Sequence, residues 1–557
     1  MEGLRLPLFI ALLFVSYQLW IAWQEDYGPN GRFNSQRQAT ASGVAEAPPP
    51  GAAQPAAGDL PDLPSSRASG EPEAPAAAPV SQIVRVSTSA VEAEIDTAGG
   101  TLRSLKLKRY PVSVDKPDEP LNLLHDDAQG RYVAQSGLLS HQGGPDHFAV
   151  YRAEAGEYHM AEGQDSLVVP LSWTGADGLT VHKLFRFSRG GYVVEVEHRL
   201  KNGAAQPWRG SLYRQLERSK PRDKGNALVY TFTGAATYTP DEKFKKITFD
   251  DLDKKPVKQE SRGGWIAMLQ HYFVSAWVTE PEEVHSYQAK RLQSGRYVIT
   301  VVAPEVIVPA GGEQVFMSRL YAGPKLQDQL EAVAKGLDLT VDYGWLTVIA
   351  QPLFWLLKLM HDISGNWGIA IILLVVLIKL AFFKPSETSY RSMAQMKKLQ
   401  PRVEQLKARY GEDKQKLNQA MMDLYRGEKI NPMSGCLPIL IQMPVFIALY
   451  WVLLESVELR QAPFALWIKD LAVEDPFYVL PLIMGVTMVV QQRLNPAPAD
   501  PVQAKVMSLL PFIFTAMFLF FPSGLVLYWV VNNLLSIAQQ WVITRRIEGG
   551  GKAAAGA

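Results

Sequence analysis

Hydrophobic and polar positions along this chain change period several times, and each change predicts a different kind of structure. Leu6–Trp23 reads LPLFIALLFVSYQLWIAW, eighteen residues without a charge. At about 1.5 Å per residue this predicts a helix of roughly 27 Å, enough to cross a thin hydrocarbon core. From about Ser81 the period falls to two, as in QIVRVSTSAVEAEI before Gly99-Gly100, TVHKLFRFSRGGYVVEVEHRL and RYVITVVAPEVIVPAGGEQVFMSRL. Alternation with glycine and asparagine turns predicts an all-β antiparallel sandwich over residues 81–340. After Asp342 the texture becomes continuously apolar. Trp367–Phe383, Ser434–Leu454, Phe477–Gln492, Val506–Phe521 and Ser523–Thr544 stand out as candidate spans. The last two belong to a 39-residue run without charge, broken by Pro522-Ser523-Gly524, which reads as a tight helical hairpin. With the first segment the prediction is a polytopic α-helical protein of six spans. Its C-terminal five occupy residues 365–384, 433–456, 476–493, 506–521 and 522–545.

Three connecting segments have their own patterns. Residues 28–80 hold ten prolines and thirteen alanines. Such a composition cannot bury enough apolar surface to offset chain entropy, so a disordered tether is expected. Gly344–Ile363 is apolar but carries Pro352, Lys358, His361 and Asp362. An amphipathic helix lying in the membrane interface is expected at 341–364, and an extension of the following span is the open alternative. In the loop 385–432, Tyr390, Met393, Met396, Leu399, Val403, Leu406 and Tyr410 recur at three and four residues, and Leu417, Met421 and Leu424 resume after Gly411. This predicts an amphipathic helical hairpin with a basic outer face. One reading is a hairpin packed on itself. The other is a mobile platform whose candidate contact residues are Met393, Met396, Lys397, Lys398 and Leu399, methionine being suited to adaptable contacts.

Composition alone would mislead. The 557 residues carry 56 Lys and Arg against 55 Asp and Glu, a net charge of +1, and a mean hydropathy of −0.04. These values exclude binding driven by global basicity and wholesale disorder, and a single cysteine, Cys436, excludes an internal disulfide. The average conceals a polar half and an apolar half. Loop charges then set orientation. Lys384–Lys429 carries eleven Lys and Arg against six acids, whereas Glu455–Pro476 carries two against five. The first loop is therefore placed in the cytoplasm and the loop 457–475 outside, with the 494–505 loop and the 546–557 tail, which begins at Arg546, also cytoplasmic. Both termini then face the cytoplasm and the sandwich faces out. The first segment has a rival reading as a cleaved signal. It ends, however, in Trp20-Ile21-Ala22-Trp23 followed by Gln24, Glu25 and Asp26. That ending suits an uncleaved anchor over 1–27 better than a peptidase site.

Candidate chemistry is sparse in the sandwich. Eight of nine histidines lie there without metal-ligand spacing, His182 and His198 read as ordinary strand residues, and Glu195 and Glu197 read as one solvated face. No metal site, cofactor or catalytic residue is expected. The membrane half is more informative. Lys379 sits inside IILLVVLIKLAFF, and a lysine in hydrocarbon costs about 3 kcal/mol on insertion scales. Lys384 follows only about 7.5 Å along a straight helix, so Lys379 either snorkels toward that edge or serves a functional groove. Gln442, Gln491, Gln492, Asn532, Asn533, Gln539 and Gln540 either glue helices together or line such a groove.

The run SMAQMKKLQPRVEQLKARYGEDKQKLNQAMMDLYRGEKINPMSGCLPILIQMPVFIALYWVLLESVELRQAPFALWIKDL, with DPFYVLPLIMGVTMVVQQ and FPSGLVLYWVVNN, closely resembles the YidC/Oxa/Alb membrane-protein insertases. The resemblance covers roughly Gly344–Arg546, and the extra first span and exported domain resemble the form found in Gram-negative bacteria. It implies a five-helix insertase core in the cell inner membrane, with a periplasmic β-supersandwich akin to sugar-mutarotase folds. It also implies insertion and folding of inner-membrane proteins without ATP hydrolysis, alone or beside the Sec translocon. The partners implied are nascent membrane proteins, the Sec translocon and its accessory subunits, the lipid bilayer, and the ribosome through cytoplasmic loops. Sequence-specific nucleic acid is not among them. The groove implied is positively charged and open to cytoplasm and lipid. Lys379 stands where the family carries an arginine, and Tyr528-Trp529 where it often carries two tyrosines. Gln442, Met443, Gln491, Tyr528, Trp529 and Asn532 are its candidate lining or substrate contacts.

Overall fold

A computed structural model describes residues 81–128, 130–221, 231–410, 413–428, 437–495 and 501–554. The predicted anchor, the tether and Cys436 lie outside the described residues. Residues 81–341 form two large β-sheets of eleven and nine strands. At the centre of the first, Trp208–Arg218 pairs with Gly130–Leu139 on one side and Tyr297–Val302 on the other. In the second, Val193–Asn202 pairs with Leu179–Ser188 and Glu313–Pro324. Pairing is antiparallel except where Ile83–Ser87 runs parallel to Glu157–His159, a departure from the purely antiparallel expectation. The turn at Gly99-Gly100 requires left-handed backbone at both residues (φ 71° and 53°), which glycine adopts without Cβ strain.

The two sheets face one another across a largely apolar core. Val181, Phe185, Phe187, Val194 and Val196 point inward by strand alternation and are buried. The same alternation sends Lys183 and His198 inward. Lys183 Nζ donates to the carbonyls of Gly99 (2.9 Å) and Ser136 (2.8 Å) and lies 5.4 Å from the Phe185 ring centroid. Burial lowers its pKa from the ordinary lysine value to about 7. His182 is exposed, but His198 is fully buried and shares this polar seam with Arg214. His198 is thus an interior residue of the sandwich. Nearby, the Tyr213 hydroxyl bridges the backbone N–H and Nδ1 of His147 (2.8 and 2.5 Å), and burial lowers the His147 pKa to about 3.

Helices follow. α1 (Thr347–Ser364) ends at Gly365, whose φ of 68° supplies the left-handed cap, and α2 (Trp367–Ala381) starts at once with Asn366 as N-cap, its Oδ1 accepting from Ile369 N–H (3.1 Å). α2 stops at Phe382 and α3 (Phe383–Lys398) leaves at an angle of 69°. Pro385 explains the break, because it lacks the N–H that would bond Ala381 and its ring crowds that carbonyl. Lys379 and Lys384 therefore do not share one straight helix, and the 7.5 Å path assumed from sequence does not exist.

The body continues in α6 (Leu437–Glu455), α7 (Val479–Leu494), α8 (Pro501–Phe518) and α9 (Ser523–Ala554). Among the described residues no single helix is long and apolar enough to cross a membrane, whereas α2 and α3 together pass on length and composition. A second body is the helix pair α4 (Gln400–Tyr410) and α5 (Lys414–Gly427). Asp413 caps α5, and Arg402 pairs with Glu428 at 2.6 Å. The apolar stripe that reads as continuous from Tyr390 to Tyr410 is divided near Leu399, because Pro401 cannot continue the helix of α3.

The sheets and the long helices meet in a polar seam. His271 Nε2 contacts Leu454 O (2.9 Å), and Arg460 donates to the carbonyls of Pro111 (2.7 Å) and Val112 (3.0 Å). Lys325 and Glu455 are both buried there. Burial lowers the Lys325 pKa to about 8 while the Glu455 carboxylate opposes the shift.

Candidate functional site

The long helices line an open cavity of about 350 Å³. Its wall takes Tyr390 and Met393 from α3, Gln442, Met443 and Phe446 from α6, Met488, Gln491 and Gln492 from α7, and Asn495 just beyond it. Met507, Leu510 and Pro511 come from α8, and Tyr528, Trp529, Asn532, Asn533 and Ser536 from α9. Helical spacing explains the last set: 529, 532, 533 and 536 share one face.

All six residues singled out as groove lining, Gln442, Met443, Gln491, Tyr528, Trp529 and Asn532, stand on this wall. The five platform residues part company. Met393 is in the cavity wall, Met396 is half-buried elsewhere on α3, Lys397 and Lys398 are exposed, and Leu399 is buried at the break before α4. The periodicity that joined them is real, but it ran across two helices.

Three hydrogen bonds pair amide side chains in and beside the wall. Gln442 Nε2 donates to Asn532 Oδ1 (2.7 Å), Asn533 Nδ2 to Thr487 Oγ1 (3.2 Å), and Gln540 Nε2 to Asn495 Oδ1 (3.2 Å). Thus α9 is tied to α6 on one flank and α7 on the other. Lys379 stands beside the cavity, half-buried, and its Nζ donates to Ser536 Oγ at 2.7 Å. Ser536 in turn donates to Asn532 O (2.7 Å). The ammonium reaches the lining through that serine. Among the described residues no carboxylate lies within ion-pair reach of it. A cation with spare donors beside a polar-lined cavity can attract an acidic group brought in by a ligand. Trp529 Nε1 is buried without a partner in the same wall.

Ser536 was not singled out by sequence, although it lies one turn beyond Asn532 and faces the same way. Further wall residues, among them Tyr390, Phe446, Met488 and Asn495, were likewise not named as groove residues. Aromatic rings crowd one end of the cavity, with Phe446 and Trp529 edge-to-face at 4.6 Å and Phe518 and Trp529 at 5.2 Å.

Outside the cavity, large apolar side chains face outward. They include Leu482, Val486 and Val490 on α7, and Leu509, Phe512 and Ile513 on α8. On α1, Trp345, Val348, Trp355, Leu359 and Ile363 form an outward stripe beginning just before the helix. Apolar surface on this scale marks a membrane or partner-facing exterior.

Comparison with known proteins matches this division of the chain. Residues 83–356 match the domain family described as the YidC periplasmic domain, and residues 359–550 match the family described as 60Kd inner membrane protein. The membrane protein insertase YidC of Thioalkalivibrio sulfidiphilus is 49% identical over 566 residues, covering 99% of this chain and 100% of that protein. That of Methylococcus capsulatus is 51% identical over 554 residues, covering 98% and 99%. A solved structure described as an active YidC insertase with the first transmembrane domain resolved aligns over 82% of this chain and 94% of its own, at 18% identity and a TM-score of 0.36. With a β-rich periplasmic domain followed by a helical C-terminal region, the chain belongs to the YidC family of membrane protein insertases.

Proposed function

We propose that this chain inserts small proteins into the inner membrane and helps them fold, with the cavity as the path for the substrate's polar tail. The observation that carries this reading is the hydrogen bond from Lys379 to Ser536 at the edge of a polar cavity between apolar helices. The chemistry asked of the chain is physical rather than covalent. Burying an apolar helix of about twenty residues is strongly favourable, and the barrier is carrying a polar tail through hydrocarbon. A wall of amides and one cation replaces part of the tail's hydration and shortens the apolar distance. Lys379 attracts acidic residues in the tail, and the membrane potential acts at about 2.3 kcal/mol per charge per 100 mV. The apolar part of the substrate then leaves sideways along α7 and α9.

The six-span topology, with both termini cytoplasmic and the sheets outside, belongs to this reading. The outward stripe on α1 supports its seating in the external interface. The pair α4 and α5 then meets incoming nascent chains on the cytoplasmic side, where the ribosome also approaches, and the outward apolar faces of the long helices serve contact with lipid and the Sec translocon. The deciding experiment reconstitutes the full chain in lipid vesicles and scores protease-protected fragments of a single-span substrate with an acidic tail. Protection should appear without ATP. Equal protection in protein-free vesicles would overturn the proposal.

A further inference from the structure

Methionine is concentrated in the cavity wall. Four of the seventeen wall residues are methionine, against 15 in the whole chain of 557. Each comes from a different helix: Met393 from α3, Met443 from α6, Met488 from α7 and Met507 from α8. The fifth helix of the wall, α9, supplies aromatic and polar side chains and no methionine.

Unbranched thioethers adapt to changing contacts, which accounts for their use where the guest varies. Adaptability alone does not require them to be open to solutes, yet these are. Met443 is 45% exposed and Met507 42%, and Met393 and Met488 are half-buried. By contrast Met484, one turn before Met488 on α7, is fully buried, as is Met268 in the sheets. One turn of α7 thus separates a sealed sulfur from one that lines the cavity.

An accessible thioether is oxidisable as well as adaptable. Hydrogen peroxide is small and neutral and can enter an open cavity. The sulfur lone pair attacks one peroxide oxygen, forming an S–O bond as the O–O bond breaks. The departing hydroxide takes the proton of the new S–OH group and leaves as water. Sulfur loses two electrons, the peroxide gains them, and methionine sulfoxide remains. The product exchanges a soft apolar contact for a polar, chiral group whose oxygen accepts hydrogen bonds. That oxygen competes for the wall's donors, among them the Gln442 amide and the Trp529 indole N–H, which is buried without a partner. An apolar client segment would lose soft contacts on four helices at once.

We propose that these four thioethers form a reversible oxidation site, at which a peroxide switches the groove off and thiol-dependent sulfoxide reduction switches it on again. Reduction returns the sulfoxide oxygen as water while two thiols form a disulfide. The proposal rests on reading the cavity as the substrate's path, but the modification can be mapped without any substrate.

The test exposes the full chain in lipid vesicles to hydrogen peroxide, removes the oxidant with catalase, and only then adds a single-span substrate with an acidic tail. Peptide mass spectrometry should find added oxygen on Met393, Met443, Met488 and Met507 and none on Met484. Substrate protection should fall several-fold and return after treatment with the two reductases that act on the two sulfoxide epimers. Met317 in the sandwich, 41% exposed, is the control for general damage, and Met317→Leu should respond to peroxide as wild type does. Replacing all four wall methionines with leucine, close in volume, should give equal protection before and after peroxide, whatever the starting level. If that variant protects nothing, Met443→Leu and Met507→Leu should each lessen the loss. Full protection with all four sulfurs oxidised, or a loss that the reductases do not reverse, overturns the proposal. Protection absent before any treatment overturns the insertion path. In that case oxygen on the four wall sulfurs still supports the oxidation site, and oxygen only elsewhere overturns it.

Discussion

The ammonium of Lys379 donates a 2.7 Å hydrogen bond to the hydroxyl of Ser536, 157 residues further along the chain. This bond aims the cation of α2 at the groove wall on α9. Insertion should therefore survive Lys379→Arg, which keeps the charge, and fall several-fold in Lys379→Ala and further in Lys379→Glu. Ser536→Ala should lower insertion less, and Ser536→Thr should restore it. Protease-protected fragments of a single-span substrate report all five, and unchanged protection in Lys379→Ala would remove the charge from the mechanism.

Gln442 and Asn532 form the second tie across the groove. Gln442→Leu leaves the Asn532 amide without its partner between helices, at a cost of about 0.6–1.7 kcal/mol, the range measured for such bonds in membrane bundles. The unfolding midpoint of the detergent-solubilised chain should drop by a few degrees. Gln442→Leu combined with Asn532→Leu should cost less than the sum of the two single changes, since the double variant leaves no orphaned amide.

The groove wall takes no residue from α4 or α5. Removing residues 400–427 leaves Tyr390 and Met393 in place, because both belong to α3. Crosslinking to nascent chains should fall while protection of a substrate supplied at high concentration persists. A deletion that begins at Met393 should abolish both, since it cuts into the cavity lining.

Lys183 makes a pH prediction for the sheets. Its value of about 7 in the folded chain lies below the ordinary 10.5. Below pH 7 both folded and unfolded states hold the proton, and the full cost of burying the charge is present. Between pH 7 and 10.5 the unfolded state binds more protons, so stability rises with pH as that cost is relieved. Lys183→Met should flatten this slope. Thermal unfolding of both proteins at pH 6.5 and pH 9 checks the difference, and parallel curves would refute it.

Much of this was legible because periodicity reports burial directly. The alternation through Val181, Phe185 and Phe187 placed a strand face correctly, and the same arithmetic would have flagged Lys183 as interior had it been applied to polar residues too. Gln442, Gln491 and Asn532 could be chosen because amides are costly among apolar helices, whereas Trp529 came from the family resemblance. Ser536 could not, since a serine hydroxyl can return its proton to the helix backbone and so carries no comparable signal. Two prolines decided the remainder. Pro385 turns α3 away from α2, and Pro401 splits a stripe that looks continuous in one dimension, so Met393 belongs to the groove.

Apart from the Lys379 ammonium on Ser536, the side-chain ties described above between α9 and its neighbours are amide to amide or amide to hydroxyl, the same kind of bond that a guest peptide offers. A passing glutamine, asparagine or serine can replace either partner at little net change in bonding. Gaps in the wall would then open by exchange rather than rupture, and no particular guest residue would be rewarded over another. Such a surface tolerates unrelated clients and leaves discrimination to their apolar length and the charge of their tails.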